Sequence, residues 1–283
     1  MGLENIITKE TSCGLLSLSN EDKSHLSLFL DNGVILYNFT TAIVNFMVEN
    51  KITNLPINML DIGANIGYIS TGLIKSSLVK KSLAIEPELY NFLLLKKNIE
   101  QNSYIDKIMC INSALGEKSL TTETMELNES NYGDHRIRRK NPLISDQEGE
   151  PARKTVSVES TTLSEILSRP DIKNWIEPVN LIWIDVQGSE GYIFKTEKDF
   201  FSKTITVAEI WPYGILRSGM SLKEFNEIVV SIWKTFCIID GTGLDGTDFD
   251  TKNYKKYAIE EFNKILSILL QKGTFKDVIF TCT

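Results

Sequence analysis

The chain predicts an α/β fold: a mostly parallel sheet with helices on both faces, preceded by an N-terminal helical cap. Three observations predict it. Apolar runs at 58–62, 82–86 and 107–112 alternate with helix-periodic stretches at 66–78 and 88–101. The first run ends in a glycine turn, Asp61-Ile62-Gly63-Ala64-Asn65-Ile66-Gly67, that opens into a helix. The second run stops at an acid, Glu86, followed by Pro87. In a β-α-β unit the turn after the first strand lets a ligand lie against bare backbone. The carboxylate ending the second strand then meets ribose hydroxyls.

Residues 1–18 read as irregular or short β structure. Ser19 or Asn20, followed by Glu21 and Asp22, marks a helix start, and Ile43, Val44, Phe46 and Met47 keep helical spacing across Thr40–Glu49. Residues 1–54 are therefore expected to form a cap segment whose helices pack on the sheet, with 55–283 as the main domain. The rhythm breaks at 126–154, where turn residues such as Asn131, Gly133, Pro142 and Gly149 stand with Arg136, Arg138, Arg139 and Lys140, and no apolar period survives. Loops this long inside a compact domain are functional or disordered, so a polar insertion serving as a mobile acceptor-side lid is expected. Thr155–Val158 reads as a strand that resumes the core, followed by a short helix near 162–168 and strands at Asn180–Asp185 and Thr206–Trp211. A helix at 221–232, a strand at 235–240, a turn region around Gly241, Gly243 and Gly246, a helix at 256–271 and a strand at Asp277–Thr281 complete the pattern.

Composition narrows the partners. With 283 residues and 42% apolar content the chain can bury one large core. A net charge of −7 argues against broad nucleic-acid binding, which needs a basic face. Cys13, Cys110, Cys237 and Cys282 are scattered, with no C-x-x-C pair and no histidine cluster, so neither a metal site nor a disulfide scaffold is expected. Met1-Gly2-Leu3-Glu4-Asn5 lacks a charged and apolar leader, and Ile6 breaks the myristoylation pattern. The apolar stretch Ile265–Leu270 is far too short to span a bilayer. A cytoplasmic protein without membrane partners is expected.

The glycine turn suggests which ligand. A pyrophosphate-binding turn wants G-x-G-x-x-G and no nearby anion, because backbone N–H groups must hold the negative charge. Here Asp61 precedes Gly63, and Asn65 stands where the middle glycine would be, before Gly67. Such a turn disfavours phosphate and suits a cationic sulfonium ligand, S-adenosylmethionine, with Glu86 on its ribose. The plainer alternative is an ordinary strand–turn–helix corner.

Several stretches together resemble the FkbM-like family of S-adenosylmethionine-dependent methyltransferases. They are DIGANIGY at 61–68, AIEPELYNFLLLKKNIEQN at 84–102, NSALGE at 112–117, NYGDHRI at 131–137, IDVQGSEGYIF at 184–194 and EIWPYGILRSG at 209–219. The resemblance implies a Rossmann-like sheet and an O-methyltransferase acting on a hydroxyl of a sugar, glycan or natural-product scaffold. It places Asn112, Ser113 and Ala114 along the cofactor's adenine, although loop capping explains the first two equally well. Asp185 is the candidate to orient the acceptor hydroxyl or take its proton, beside the cofactor. His135 is a second candidate base, or a solvated loop histidine, and Glu209 is a third carboxylate at the cleft. Asp134, Arg136, Gln187, Glu190 and Trp211 are acceptor-side candidates. Glu190 could instead serve only a helix N-terminus, Trp211 could pack the core, and the arginines could be a solvated face. Family members often carry Glu where this chain has Gln187, which weakens any metal hypothesis. N-methylation of nucleic acid or protein, or cofactor binding without catalysis, are the alternatives. No N-P-P-Y-like motif is present for the former.

Overall fold

A computed structural model describes residues 3–139, 141–145, 152–238 and 255–282. The chain opens with an antiparallel hairpin, β1 (Ile6–Thr11) and β2 (Gly14–Ser19). Two helices follow, α1 (Lys23–Leu30), capped by Asp22, and α2 (Val34–Glu49). The expected cap segment thus contains a hairpin as well as helices. It packs on two helices of the main domain, α3 (Tyr68–Lys75) and α4 (Leu89–Gln101), and α2 also lies on the sheet, where Ile43, Val44 and Met47 share a core cluster with Met59 and Trp183. Asn98 of α4 holds the hairpin, since its Oδ1 accepts Ser17 N at 2.7 Å and its Nδ2 donates to Ser17 O at 3.1 Å.

The main sheet starts with β3 (Ile57–Ile62), β4 (Val79–Ile85) and β5 (Ile108–Ile111), pairing in parallel with α3 and α4 between them. The predicted helix at 66–78 begins at Tyr68, because Gly67 at φ +86 caps it in the left-handed region. Glu88 caps α4 by accepting Asn91 N at 2.7 Å.

The expected insertion is where sequence and structure part. β6 (Ala114–Leu115), β7 (Thr121–Leu127), β8 (Arg136–Ile137) and β9 (Lys154–Thr161) form a separate four-stranded sheet in the order β6-β9-β7-β8. The strand expected to resume the core therefore belongs to this second sheet, and within 126–154 the pairs Met125–Ile137 and Glu126–Arg136 tie β8 to β7. Its buried strip, Met125 and Val158, is too short for a periodicity to be visible. Lys140, Gly149 and Pro151 lie outside the described residues.

Two short helices, α5 (Leu163–Ser168) and α6 (Pro170–Ile176), lead to β10 (Leu181–Ile184), which pairs in parallel with β3. Next come α7 (Glu190–Thr196), α8 (Lys198–Phe201), β11 (Ile205–Ile210), α9 (Pro212–Arg217), α10 (Leu222–Ile232) and β12 (Thr235–Ile238). The turn region at Gly241, Gly243 and Gly246 lies outside the described residues. The start of the predicted helix at 256–271 is instead a strand, β13 (Lys255–Ala258), before α11 (Phe262–Lys272) and β14 (Lys276–Thr281). Eight strands run in the order β13-β12-β14-β11-β10-β3-β4-β5, and β14 is antiparallel to its neighbours. Strand order reverses between β3 and β10, the place where an open α/β sheet leaves a crevice at its carboxyl edge.

Candidate active site

A cleft opens at that reversal, lined among others by Gly63, Asn65, Glu86, Pro87, Ser113 and Ala114 from the β3–β4–β5 side. Asp185, Gln187 and Ser189 line it after β10, and Tyr132, His135 and Arg136 line it from the second sheet.

The glycine turn is shaped by a close approach of backbone. Gly63 sits at φ +81, and a Cβ there would stand 1.8 Å from Asp185 O. Its N–H donates to Ile85 O at 2.9 Å, tying the turn to the end of β4. Glu86 closes the same corner: Oε2 accepts Asn65 N at 2.9 Å and Oε1 accepts Glu88 N at 2.8 Å. Burial pushes the Glu86 carboxyl up to about 8 against those two hydrogen bonds.

Other predicted residues fall behind the cleft wall. Asp61 is 1% exposed, and its carboxylate accepts the Ser70 hydroxyl, which also bonds Ser82 Oγ at 2.8 Å. It knits β3 to α3 and β4 and lies outside the cleft lining, behind the turn rather than in it as expected. Strand alternation turns its side chain beneath α3. Gly67 is required by its positive φ and by Leu95, whose Cδ1 would lie 2.5 Å from a Cβ. Asn112 donates to Glu86 O and Pro87 O, both at 2.9 Å, and so supports the wall rather than lining it. Glu190 is the first residue of α7 and lies outside the lining, with Oε1 accepting Val186 N at 2.9 Å and Gly188 N at 3.3 Å. Trp211 packs against Tyr213, centroids 5.2 Å apart, and lies outside the lining. Asp134 accepts from Asn128 Nδ2 at 2.9 Å and from Arg153, also away from the cleft.

The arginines pair with acids of β7, Arg136 from a buried position and Arg138 from an exposed one. Arg136 is 4% exposed and donates from Nε to Glu126 Oε2 at 3.1 Å; Arg138 Nε reaches Glu126 Oε1 at 2.7 Å. Arg139 pairs with Glu123 at 3.6 Å and lies 4.4 Å over the Tyr192 ring.

His135 is placed in the cleft but with a different capacity than expected. Its Nδ1 accepts Asn128 N at 3.0 Å, and burial brings its pKa down to about 4. A neutral imidazole has one acceptor nitrogen, and here it is already used. Nε2 therefore carries the proton and acts as a donor.

Asp185 keeps the properties of a base. Burial raises it to about 6, and Oδ1 accepts Gln187 Nε2 at 2.7 Å. Gln187 Nε2 also reaches Glu209 Oε1 at 3.1 Å; Glu209 stands behind the lining, its carboxyl pushed well up by burial and by Asp185.

Sequence reasoning missed Tyr68, Asn91, Tyr132 and Ser189, which all line the cleft. Asn91 lies in the first turn of α4, which begins three residues after Glu86, and a polar side chain there beside the strand end was a usable signal. Its Nδ2 and that of Asn65 both donate to Tyr132 O at 3.0 Å, which holds the second sheet over the cleft.

Sheet order, glycine turn and strand-end acid define a Rossmann-like methyltransferase. A family model described as the Methyltransferase FkbM domain matches residues 61–273. The chain belongs to the FkbM methyltransferase family, and is an S-adenosylmethionine-dependent methyltransferase. It is 30% identical over 185 residues, 58% of this chain and 71% of the other, to a protein of Sordaria araneosa named methyltransferase sdnD. Among solved structures it resembles methyltransferase FkbM from Methylobacillus flagellatus KT at 15% identity and a TM-score of 0.43, covering 79% of this chain. The chain spans 43% of the length of that structure. A complex of TrmK from M. capricolum with S-adenosylhomocysteine aligns at 12% identity and a TM-score of 0.37, over 84% of this chain and 68% of that one.

The residues present fit that cofactor. Asn91 is 1% exposed, yet its Oδ1 has no hydrogen-bond partner, and neither has Ser189 Oγ at 2% exposure. Buried polar atoms are ordinarily satisfied, and these two face a cleft where ribose hydroxyls and an amino acid moiety would satisfy them. Gly63 offers bare backbone, and each Glu86 oxygen retains a lone pair for a ribose hydroxyl.

A pH dependence follows. With its pKa near 8, Glu86 is largely protonated at pH 7 before binding, whereas two donating hydroxyls favour the carboxylate. Affinity for S-adenosylhomocysteine is expected to rise from pH 6 to about pH 8.5, with proton release on binding at pH 7. Calorimetry in buffers of different ionisation heat measures both. A flat profile without proton release would mean that Glu86 does not meet the ribose as a carboxylate.

Proposed function

We propose that this enzyme is an O-methyltransferase acting on a hydroxyl of a sugar, glycan or natural-product scaffold. The observation that carries the reading is Asp185: its Oδ1 is committed to Gln187, and its residue lines the same cleft as the cofactor cradle. Oδ2 is thereby left for a hydroxyl proton. At a pKa near 6 the carboxylate is mostly ionised at pH 7, while its basicity stays close to the operating range. When bound, the cofactor supplies an electrophilic methyl group on a cationic sulfur. The protein's own work is to align the acceptor oxygen, exclude water and take one proton. Tyr132, His135 and Arg136 form the roof from which the acceptor is held, with His135 Nε2–H donating to it.

A small-molecule or glycan acceptor is favoured over nucleic acid by the net charge of −7 and by the buried guanidinium group of Arg136, which turns onto Glu126. The cytoplasm is the proposed compartment, in keeping with the four free thiols. Among the described residues no helix is long and apolar enough to cross a membrane. The test is transfer of isotope-labelled methyl to panels of glycosides and polyketide alcohols, with RNA, DNA and protein panels in parallel. An O-methyl resonance in a product supports the reading; label appearing only on a nitrogen of nucleic acid or protein overturns it.

A further inference from the structure

Gln187 touches two carboxylates at once. Its Nε2 lies 2.7 Å from Asp185 Oδ1 and 3.1 Å from Glu209 Oε1. Carboxylate oxygens on both contacts fix which end of the amide faces them, because only the NH₂ end can donate. Asp185 follows β10 and Glu209 lies on β11, which run side by side in parallel. The amide therefore spans two adjacent strand ends.

The backbone is shaped to put that amide there. Gln187 has φ +55, a left-handed conformation that costs free energy for any residue bearing a Cβ. Gly188 follows at φ +97, and a Cβ on it would stand 2.2 Å from Gly214 C. Glu190 Oε1 ties the Val186 and Gly188 N–H groups from the other side. Strain held this firmly belongs to sites where a side chain must point one way.

The surroundings explain why an amide stands there. Asp61 on β3, Glu190 on α7, Glu209 on β11, Asp277 on β14 and Asp134 beside β8 all interact unfavourably with the Asp185 charge. Tyr68 on α3 faces Asp185, Asp61, Glu209 and Asp277, and His25 on α1 acts on Asp185 in the opposite sense. In such an acidic, half-buried corner, a neutral group that gives both its hydrogens to carboxylates is what keeps Asp185 ionisable.

We infer that Gln187 is a positioning residue whose amide ties Asp185 Oδ1 to Glu209 Oε1, so that Asp185 presents Oδ2 to the acceptor hydroxyl. The inference rests on the hydroxyl-methylating reading for its acceptor, but the amide–carboxylate clamp is measurable without one. Infrared difference spectra of the protein saturated with S-adenosylhomocysteine, titrated with pH, report protonated carboxyl groups, and Asp185→Asn identifies the Asp185 band. Gln187→Leu removes both donated hydrogen bonds, and Gln187→Glu replaces them with a like charge. Each is expected to move the Asp185 midpoint upward by about one to two pH units. Affinity for S-adenosylhomocysteine should stay within about threefold in both, a combination that a merely structural role would not give. A midpoint that stays within about 0.3 unit of wild type in either folded variant overturns the inference. Failure of the hydroxyl reading would look different: no O-methyl product in the acceptor panels, with the Gln187 shifts still present.

Discussion

Asp185→Asn is expected to lower the rate of methyl transfer by about 10²–10⁴-fold, the usual worth of a positioned base. The substitution keeps the shape of the side chain and removes its basicity. Affinity for S-adenosylhomocysteine should remain within about threefold, because the turn at Gly63 and Glu86 are expected to make most of the cofactor's polar contacts. His135→Ala makes the informative contrast. With Nδ1 already accepting Asn128 N at 3.0 Å, the imidazole offers a donor and no free acceptor. Its loss should raise KM for the acceptor more than it lowers kcat. Separate measurement of kcat and KM for both variants decides the assignment. Near wild-type turnover in Asp185→Asn would pass proton removal to Glu209 or to solvent and leave alignment as the whole of catalysis.

Gly63→Ala is expected to destabilise the fold by about 2–4 kcal/mol and to weaken cofactor binding more than tenfold. The new Cβ would stand 1.8 Å from Asp185 O and 2.9 Å from Asp185 C, both backbone atoms that no rotamer change can move. Relief requires parting β3 from β10, where Asp185 N donates to Ile62 O at 2.9 Å, or tilting the turn away from Glu86. Either movement disturbs the ribose and methyl ends of the cleft together. Urea unfolding gives the stability change, and calorimetric titration with S-adenosylhomocysteine gives the binding loss. An alanine variant with wild-type stability and affinity would show that the two strand ends can separate freely.

The sequence by itself determined the parts of this protein whose signals are local. Alternating apolar runs and helical periods placed β3, α3, β4 and α4, because each element buries its own face and shows the matching period. The glycine turn and Glu86 were legible because a positive φ and a strand-end acid leave a fixed spacing in one short β-α-β unit. The FkbM resemblance was legible for the same reason, in stretches that each fold as one corner.

Only the tertiary structure decided what each acid or base near the cleft can do. Asp61 and Glu86 look alike in sequence, yet one is buried against Ser70 and the other lines the cleft. His135 becomes a donor through Asn128, seven residues earlier, and Gln187 becomes a clamp through Glu209, 22 residues later. Arg136 turns inward to Glu126 because β7 and β8 pair across a turn with no hydrophobic period of its own. Burial, tautomer and partner depend on which chain segments meet across the sheet reversal. These are long-range quantities, and no window of sequence around a single residue carries them.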